Sequence, residues 1–195
     1  MPVTSSLMRE HQQRHPRFWE AVRADAVITA ARRGDRHEFR SDADAALQAL
    51  RLAWASDAFA AQALYRAKAR MQALGIPILP RIAHRLAMML AQVSIGDPVI
   101  VQPGVYILHG QVVIDGFVEI ASGVAIAPWV TIGLRPGDYE GPTIGENVTI
   151  GTGAKVLGRL EVGADAKVAA NAVVLGDVAP GTTVAGAPAR VVSEP

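Results

Sequence analysis

Between Ile114 and Val174 an isoleucine or valine recurs at every sixth position, with a single interval left out. The positions that follow this period are Ile114, Ile120, Ile126, Ile132, Ile144, Ile150, Val156, Val162, Val168 and Val174. A six-residue repeat is typical of a parallel β-helix, in which each hexad supplies one short strand and one corner, and three hexads close a triangular coil. The sequence therefore predicts a prism whose interior is filled by these side chains.

The chain before the repeat has a helical period instead. Residues 42–74 carry apolar side chains at three- and four-residue steps, namely Leu47, Leu50, Trp54, Ala58, Ala61, Leu64 and Met71. This spacing predicts one helix with a single apolar face, beginning after Ser41 and ending before Gly75. A last helix is predicted from near Pro80, and its His84 is interpreted as an ordinary packed or surface histidine. The predicted fold class is α+β, with an α-helical N-terminal domain over residues 1–93 followed by a β-helix domain over residues 94–192.

Composition excludes several classes of function. The chain has 195 residues and no cysteine, so disulfides and thiolate metal sites are excluded. Its first half is mildly basic, which we interpret as a solvated helix face with no nucleic-acid partner. No run of about 20 apolar residues predicts a membrane span, and the N-terminus lacks the apolar core of a secretory signal. We therefore expect a cytoplasmic protein.

Two irregularities interrupt the repeat. Residues 134–143, LRPGDYEGPT, contain two prolines and two glycines, and we predict a loop that leaves the prism. Earlier core positions at Ile95, Val101 and Ile107 are also six apart, but they are out of phase with Ile114 by one residue. One residue is therefore inserted beside His109, and an extra residue at a corner redirects the neighbouring side chains.

His109 is the only histidine of the repeat region. One histidine without cysteine cannot assemble the three-histidine zinc site of the hexapeptide-repeat carbonic anhydrases, so no metal site is predicted. A single imidazole can instead act as a general base near neutral pH. Acyl transfer from a thioester needs such a group to deprotonate an attacking hydroxyl or amine.

Three segments resemble the serine O-acetyltransferase family of hexapeptide acyltransferases. They are IGTGAKVLG (residues 150–158), VLGDVAPGTTVAGAPARVV (residues 174–192) and, more weakly, FAAQALYR (residues 59–66). The resemblance implies a left-handed β-helix, acetyl-CoA as co-substrate, a small-molecule acceptor and transfer to the hydroxyl of L-serine in cysteine biosynthesis. It places His109 at the position of the family's catalytic histidine.

The resemblance also implies an assembly and a cofactor groove. Three prisms would form a homotrimer, alone or as a dimer of trimers, and acetyl-CoA would lie between neighbouring subunits. The residues that match the lining of this groove are Thr152, Gly153, Ala154, Ala170 and Asn171, and the residues placed to meet the CoA phosphates are Lys155, Lys167 and Arg190.

Several family residues are absent, which leaves the acceptor open. Leu108 stands where the family has an aspartate, Ser94 where it has the acid that orients the histidine, and Glu140–Gly141 where it has an Arg-His pair. The remaining candidates to orient His109 are Asp115, Asp138, Glu140, a backbone carbonyl and a group of a partner subunit. Trp129 and Tyr139 are candidates to shape the acceptor pocket. Two alternatives therefore stand beside serine: a sugar or another small hydroxyl or amine as acceptor, and a catalytically silent trimeric binding module.

Overall fold

A computed structural model describes residues 13–138 and 140–194 of the chain. The helices are α1 (Phe18–Arg33), α2 (Asp42–Ala55), α3 (Asp57–Ala73) and α4 (Leu79–Ala91). The strands are β1 (Val93–Ile95), β2 (Ile100–Val101), β3 (Tyr106–Ile107), β4 (Val112–Ile114), β5 (Phe117–Ile120), β6 (Ala125–Ile126), β7 (Thr131–Gly133), β8 (Glu140–Ile144), β9 (Thr149–Ile150), β10 (Lys155–Leu157), β11 (Glu161–Val162), β12 (Lys167–Val168), β13 (Val173–Val174), β14 (Thr183–Ala185) and β15 (Arg190–Ser193).

The strands form the three faces of a prism, as the repeat predicts. One face has the strand order β1-β4-β7-β10-β13, the second β11-β8-β5-β2, and the third β15-β14-β12-β9-β6-β3. Neighbouring strands within these faces are parallel except for the closing pair of β14 and β15. All ten in-phase positions are at most 2% exposed, so the predicted prism core and the predicted fold class are confirmed.

The register confirms the inserted residue. Ile95 pairs with Ile114, whereas Ile114 pairs with Ile132, so the first coil is one residue longer than the second. The corner between β3 and β4 contains the extra residue. Here the chain passes from the third face of the prism to the first.

The predicted loop is shorter than the sequence suggests. Glu140–Ile144 is a strand between β5 and β11, so the excursion ends before Glu140 rather than after Thr143. Phe117 pairs with Glu140 and Glu119 with Thr143, which leaves one extra residue on β8. Pro142 lies in this bulge, where the missing N–H of a proline interrupts no regular ladder. Tyr139 lies outside the described residues.

The single helix predicted over residues 42–74 is wrong. Ser56 separates α2 from α3, and its side chain accepts a hydrogen bond from the Phe59 N–H at 3.3 Å as the N-cap of α3. The predicted start is confirmed, since the Ser41 hydroxyl accepts from the Asp44 N–H. Trp54, predicted on the apolar face, is 93% exposed, so the predicted face does not continue unbroken from α2 into α3.

A buried ion pair joins the helices to the first coil of the prism. The Arg66 Nε donates to an Asp25 carboxylate oxygen at 2.9 Å, and both side chains are at most 3% exposed. Arg66 also donates to the carbonyls of Val101 and Gln102, while Asp25 accepts from the Gly104 N–H at 2.9 Å. The pair therefore fixes α1 and α3 against the same stretch of backbone.

Within the described residues, no helix is long and apolar enough to cross a membrane.

Candidate functional site

His109 lies on the irregular corner between β3 and β4, and its side chain is exposed. Two residues with left-handed backbone follow it, Gly110 at a φ of 102° and Gln111 at a φ of 54°. The Gln111 N–H donates to the carbonyl of Ala91, the last residue of α4, at 2.8 Å. The end of α4 therefore holds the corner that carries His109.

Only glycine fits at the position after the histidine. A Cβ added to Gly110 would lie 2.2 Å from the Ala91 carbonyl oxygen, far inside van der Waals contact. The positive φ of Gly110 also disfavours any residue with a side chain. The inserted residue and the close approach of α4 together turn the corner outward and expose the imidazole.

The structure does not bring the three candidate acids to His109. A Glu140 carboxylate oxygen lies 2.9 Å from the Arg159 Nε as an ion pair, and an Asp115 carboxylate oxygen accepts from the Gly116 N–H at 2.9 Å. Asp138 lies in the loop, where its N–H donates to the Arg135 carbonyl at 3.0 Å. Across residues 13–138 and 140–194, the His109 side chain has no hydrogen bond to any of them, so its orienting group stays a prediction.

The positions of the missing family residues have physical explanations. A Cβ at Gly141 would lie 2.5 Å from Val118 Cγ2, so the bulge in β8 leaves no room there for an imidazole. Ser94 lies on β1 opposite Val113 and is half-buried. Ser94 and Gly141 therefore supply neither the acid nor the imidazole that the family has at these positions.

The residues predicted to line the cofactor groove lie on the same edge of the prism as His109. Backbone hydrogen bonds connect successive corners along it, from the Trp129 N–H to the Gln111 carbonyl at 2.8 Å and from the Gly153 N–H to the Pro128 carbonyl at 2.9 Å. The Asn171 N–H continues the series by donating to the Thr152 carbonyl at 2.8 Å. Parallel coils are about 4.8 Å apart, so the base and the groove lining follow one another in short steps.

Three of the lining residues are at the surface of this edge. Thr152, Ala170 and Asn171 are exposed. A Cβ at Gly153 would lie 2.1 Å from the Asn171 side-chain oxygen, which explains the glycine of the GTGAK turn. The Ala154 side chain is fully buried in the prism core, so only the backbone of this residue is available to line a groove.

The predicted phosphate-binding cations surround this edge. Lys155 lies on β10, and its Nζ donates to the Trp129 carbonyl at 2.5 Å. Lys167 is exposed on β12, which belongs to a different face of the prism. Arg190 is exposed on β15, close to the end of the prism. Lys155 is thus already bonded to the edge, and Arg190 Nη1 donates to the Ala189 carbonyl at 2.9 Å. Among the described residues, the exposed Lys167 side chain forms neither an ion pair nor a hydrogen bond, so it can extend toward an anion.

Trp129 has an unusual backbone conformation for an aromatic residue. Its φ is 66°, a left-handed conformation that bulky side chains rarely adopt, and its side chain is 57% exposed. Gln111, Gly153 and Asn171, at the equivalent corner positions of this edge, also have positive φ values. The left-handed turn therefore belongs to the repeat, and Trp129 is unusual in placing a bulky side chain there. Trp129 lies between the corner of His109 and the corner of Gly153.

A second polar cluster was missed in the sequence. Lys68 on α3 is only 2% exposed, and its Nζ donates to the Ile95 carbonyl at 2.6 Å and to an Asp97 carboxylate oxygen at 3.0 Å. Burial lowers the pKa of Lys68, although Asp97 opposes this shift. Burial and the Lys68 charge likewise lower the pKa of His84, which packs beside them. A lysine three residues after the buried Tyr65, on an apolar helix face, was the available signal.

No group of three or more His, Asp or Glu side chains is close enough to hold a metal ion in the part of the chain that the structure describes.

The sequence and the structure resemble known proteins. The family model of bacterial transferase hexapeptides (six repeats) matches residues 141–176. A serine acetyltransferase of Helicobacter pylori is 38% identical over 120 residues, which cover 60% of this chain and 70% of that protein.

Two solved structures have a TM-score of 0.76 to this chain. A serine acetyltransferase from Brucella abortus in complex with coenzyme A is 26% identical, with 95% of this chain and 71% of that chain covered. A soybean serine acetyltransferase complexed with serine is 28% identical, with 92% and 71% covered. These matches extend over both the helices and the prism.

Proposed function

The chain belongs to the serine acetyltransferase family, and we propose that it transfers the acetyl group of acetyl-CoA to the hydroxyl of L-serine, with His109 as the base. One observation carries the proposal. His109, Trp129, Gly153 and Asn171 occupy successive corners of one prism edge, which are connected by backbone hydrogen bonds. A cofactor that lies along this edge would present its thioester beside the imidazole.

The proposed reaction needs one proton acceptor that later becomes a donor. The neutral imidazole of His109 takes the proton of the serine hydroxyl, and the oxygen attacks the thioester carbonyl carbon. When the tetrahedral intermediate collapses, the carbon–sulfur bond breaks and the imidazolium returns its proton to the sulfur of CoA. Backbone N–H groups of the corner are the proposed donors to the oxyanion.

The proposed cofactor site consists of exposed corner residues and a few Lys and Arg side chains. The exposed corner residues Thr152, Gly153, Ala170 and Asn171 offer a surface for the pantetheine arm. Lys155, Lys167 and Arg190 would pair with the phosphates through charge-assisted hydrogen bonds. Lys155 would have to leave the Trp129 carbonyl to do so, and Arg190 the Ala189 carbonyl, and we therefore assign the largest share to Lys167.

The proposed assembly is a homotrimer, alone or as a dimer of trimers, in the cytoplasm. The helices expose large apolar side chains, which include Leu50 and Trp54 on α2 and Met89 on α4. Apolar surface of this kind is typical of protein interfaces. A neighbouring copy would also complete the groove and is the proposed source of the group that orients His109.

A second acceptor class has its own support. No acidic side chain contacts His109 among the described residues, and Gly141 is packed too tightly against Val118 for a histidine to replace it. A site without charged groups favours a neutral hydroxyl, as on a sugar, over a zwitterionic amino acid. A catalytically silent trimer is the remaining alternative, because His109 has no orienting partner within one protomer.

One assay distinguishes these functions. The purified full chain is incubated with acetyl-CoA and a panel of serine, sugars and amines, and the release of free thiol is measured. His109→Ala gives the background, and His37→Ala, which replaces an exposed histidine of the α1–α2 loop, is the matched control. Release with serine supports the proposal, whereas release with sugars or amines alone supports the second acceptor class. Release no faster than the His109→Ala background with every acceptor contradicts both.

A further inference from the structure

A cavity of about 410 Å³ opens between α4 and the first two coils of the prism. Arg81 and Arg85 of α4 line one side, and Asp97 and Asp115 of the prism line the other. His109 and the corner residues of the proposed cofactor groove are not among the residues that line it, although Ser94 and Asp115 are. The cavity therefore does not contain the proposed base or the proposed cofactor groove.

The α4 side of the cavity is positive. Arg81 and Arg85 are one helical turn apart, and like charges at this spacing repel each other. Neither side chain forms an ion pair with any residue in 13–138 or 140–194, and both are exposed. Guanidinium groups that form no ion pair on one wall of a cavity are suited to bind a carboxylate through charge-assisted hydrogen bonds.

The prism side of the cavity is negative. Asp115 uses one carboxylate oxygen to accept from the Gly116 N–H, and a Cβ at Gly96 would lie 2.4 Å from that same oxygen. Gly96 thus leaves space for the carboxylate at the cavity wall. Among the described residues, Asp115 forms no ion pair.

The charges at the base of the cavity compensate each other. Lys68 pairs with Asp97 at 3.0 Å and bonds to the Ile95 carbonyl, so neither charge needs a ligand. Burial and the Lys68 charge lower the pKa of His84, which disfavours a positive charge on this side chain. The charged side chains of the cavity that form no ion pair among the described residues are therefore the two arginines on one side and Asp115 on the other.

We propose that this cavity binds a small zwitterion, with its carboxylate between Arg81 and Arg85 and its ammonium group at Asp115. The volume lies within the range of small-molecule sites, and space not filled by the ligand would hold bridging water. A molecule with only one of the two charges could form ion pairs with only one wall of the cavity. The site goes beyond the proposed acetyl transfer, because it needs neither acetyl-CoA nor His109.

The position of the cavity gives binding a structural consequence. α4 supplies the arginines and also ends at Ala91, whose carbonyl holds the Gln111 N–H. A ligand that bridges α4 to the prism opposes their separation, so it stabilises the fold by mass action. Binding is therefore expected to raise the thermal unfolding midpoint.

Titration calorimetry on the full chain tests the proposal. The probes are glycine, β-alanine and γ-aminobutyrate, which differ in the separation of their two charges and carry no hydroxyl to be acetylated. Acetate and methylammonium present the same charges singly. We expect at least one zwitterion to bind about tenfold or more tightly than either single ion. No zwitterion binding, or equal affinity for acetate, would overturn the proposal.

Variants localise the binding. The double variant Arg81→Gln/Arg85→Gln and the single variant Asp115→Asn should each weaken the best zwitterion about tenfold. The exposed Arg32→Gln and Asp165→Asn are matched controls and should bind like the original chain. Affinity that survives the cavity variants would place the ligand elsewhere and contradict the inference. Because no acetyl-CoA is present, the outcome is independent of the proposed reaction.

Discussion

The interior of the prism and the interface between the helices and the prism are stabilised in opposite ways. The prism core consists of in-phase isoleucines and valines, and Thr182 is its one buried polar side chain in the described residues. The remaining buried polar side chains belong to the helices or to the turn between α2 and α3: Asp25, Thr29, Ser56, Gln62, Arg66 and Lys68.

Most of these polar groups contact the first coil. From α3, Gln62 Nε2 donates to the Val105 carbonyl at 3.0 Å, Tyr65 Oη to the Val99 carbonyl at 2.7 Å, and Lys68 Nζ to the Ile95 carbonyl. The first coil contributes β1, β2 and β3, which are the edge strands of the three sheets. No earlier coil pairs with these edges, so α3 satisfies their carbonyls with side chains. The helices thus cap the end of the repeat, as terminal units of solenoids must.

The largest expected effect comes from breaking this cap. Arg66→Ala leaves the Asp25 carboxylate buried without its partner, and it should lower the free energy of unfolding by about 3–5 kcal/mol. Urea unfolding measures the change, with the exposed Arg32→Ala as control. The double variant Asp25→Leu/Arg66→Met removes both charges and should recover part of the loss. Equal stability of Arg66→Ala and Arg32→Ala would show that the cap is not needed.

The repeat could be predicted from sequence because its environment is periodic. Every sixth side chain points inward whatever its neighbours are, so the in-phase residues and the inserted residue at His109 follow from counting. The cap is not periodic, since Lys68 and Arg66 are buried by one particular coil. The same limit explains the error at Trp54, because Ser56 begins a new helix and the three- and four-residue period does not continue across it.

The candidate site was predicted in part for the same reason. His109 and the groove residues lie at corners, whose order along an edge follows from the repeat. The side chain of Ala154 is in the core, so this residue can contribute only its backbone to the groove. The group that orients His109 stays a prediction, because the contacts of the candidate acids depend on the loop and on Arg159, which no period specifies.

The second-largest expected effect concerns Gly110, where the end of α4 contacts the corner that carries His109. Gly110→Ala should place a Cβ against the Ala91 carbonyl at a positive φ, whereas Gly104→Ala has a positive φ but nothing within 4 Å. Both variants lose the conformational freedom of glycine, but only Gly110→Ala also places a methyl group in steric conflict with its surroundings. Its free energy of unfolding should therefore be lower by about a further 1–3 kcal/mol than that of Gly104→Ala. Thermal and urea unfolding of the pair measure this difference. Equal losses would mean that α4 does not constrain the corner.

A smaller effect concerns the strained edge residue. Trp129→Gly relieves the left-handed backbone conformation of a bulky residue. The gain in free energy of unfolding should slightly exceed the entropic cost of glycine, which is about 0.5–1 kcal/mol, so the variant should be slightly more stable. The same variant should raise the KM for acetyl-CoA severalfold, because Trp129 lies between the base and the groove lining. A variant that loses stability with KM unchanged would assign Trp129 a purely structural role.

The smallest effect is a pH dependence within the cap. Burial opposes ionisation of Asp97, but Lys68 and its hydrogen bonds lower the pKa of this carboxyl overall. The stabilisation is therefore present above the unfolded pKa of about 4 and is lost as the pH falls through the lower folded value. Asp97→Asn should flatten the fall in unfolding free energy on acidification. If the dependence of unfolding free energy on acidic pH were unchanged in Asp97→Asn, Asp97 would not contribute to the stability of the cap.

The account depends most directly on His109 as the base on the edge that also binds the cofactor. Single-turnover thiol release, measured together with CoA affinity on the same preparations, tests this for His109→Ala. Loss of a general base predicts a rate about 10²–10⁴ times lower, with CoA affinity unchanged. A release rate within about threefold of the original chain would contradict the assignment of His109, since general-base catalysis exceeds that factor.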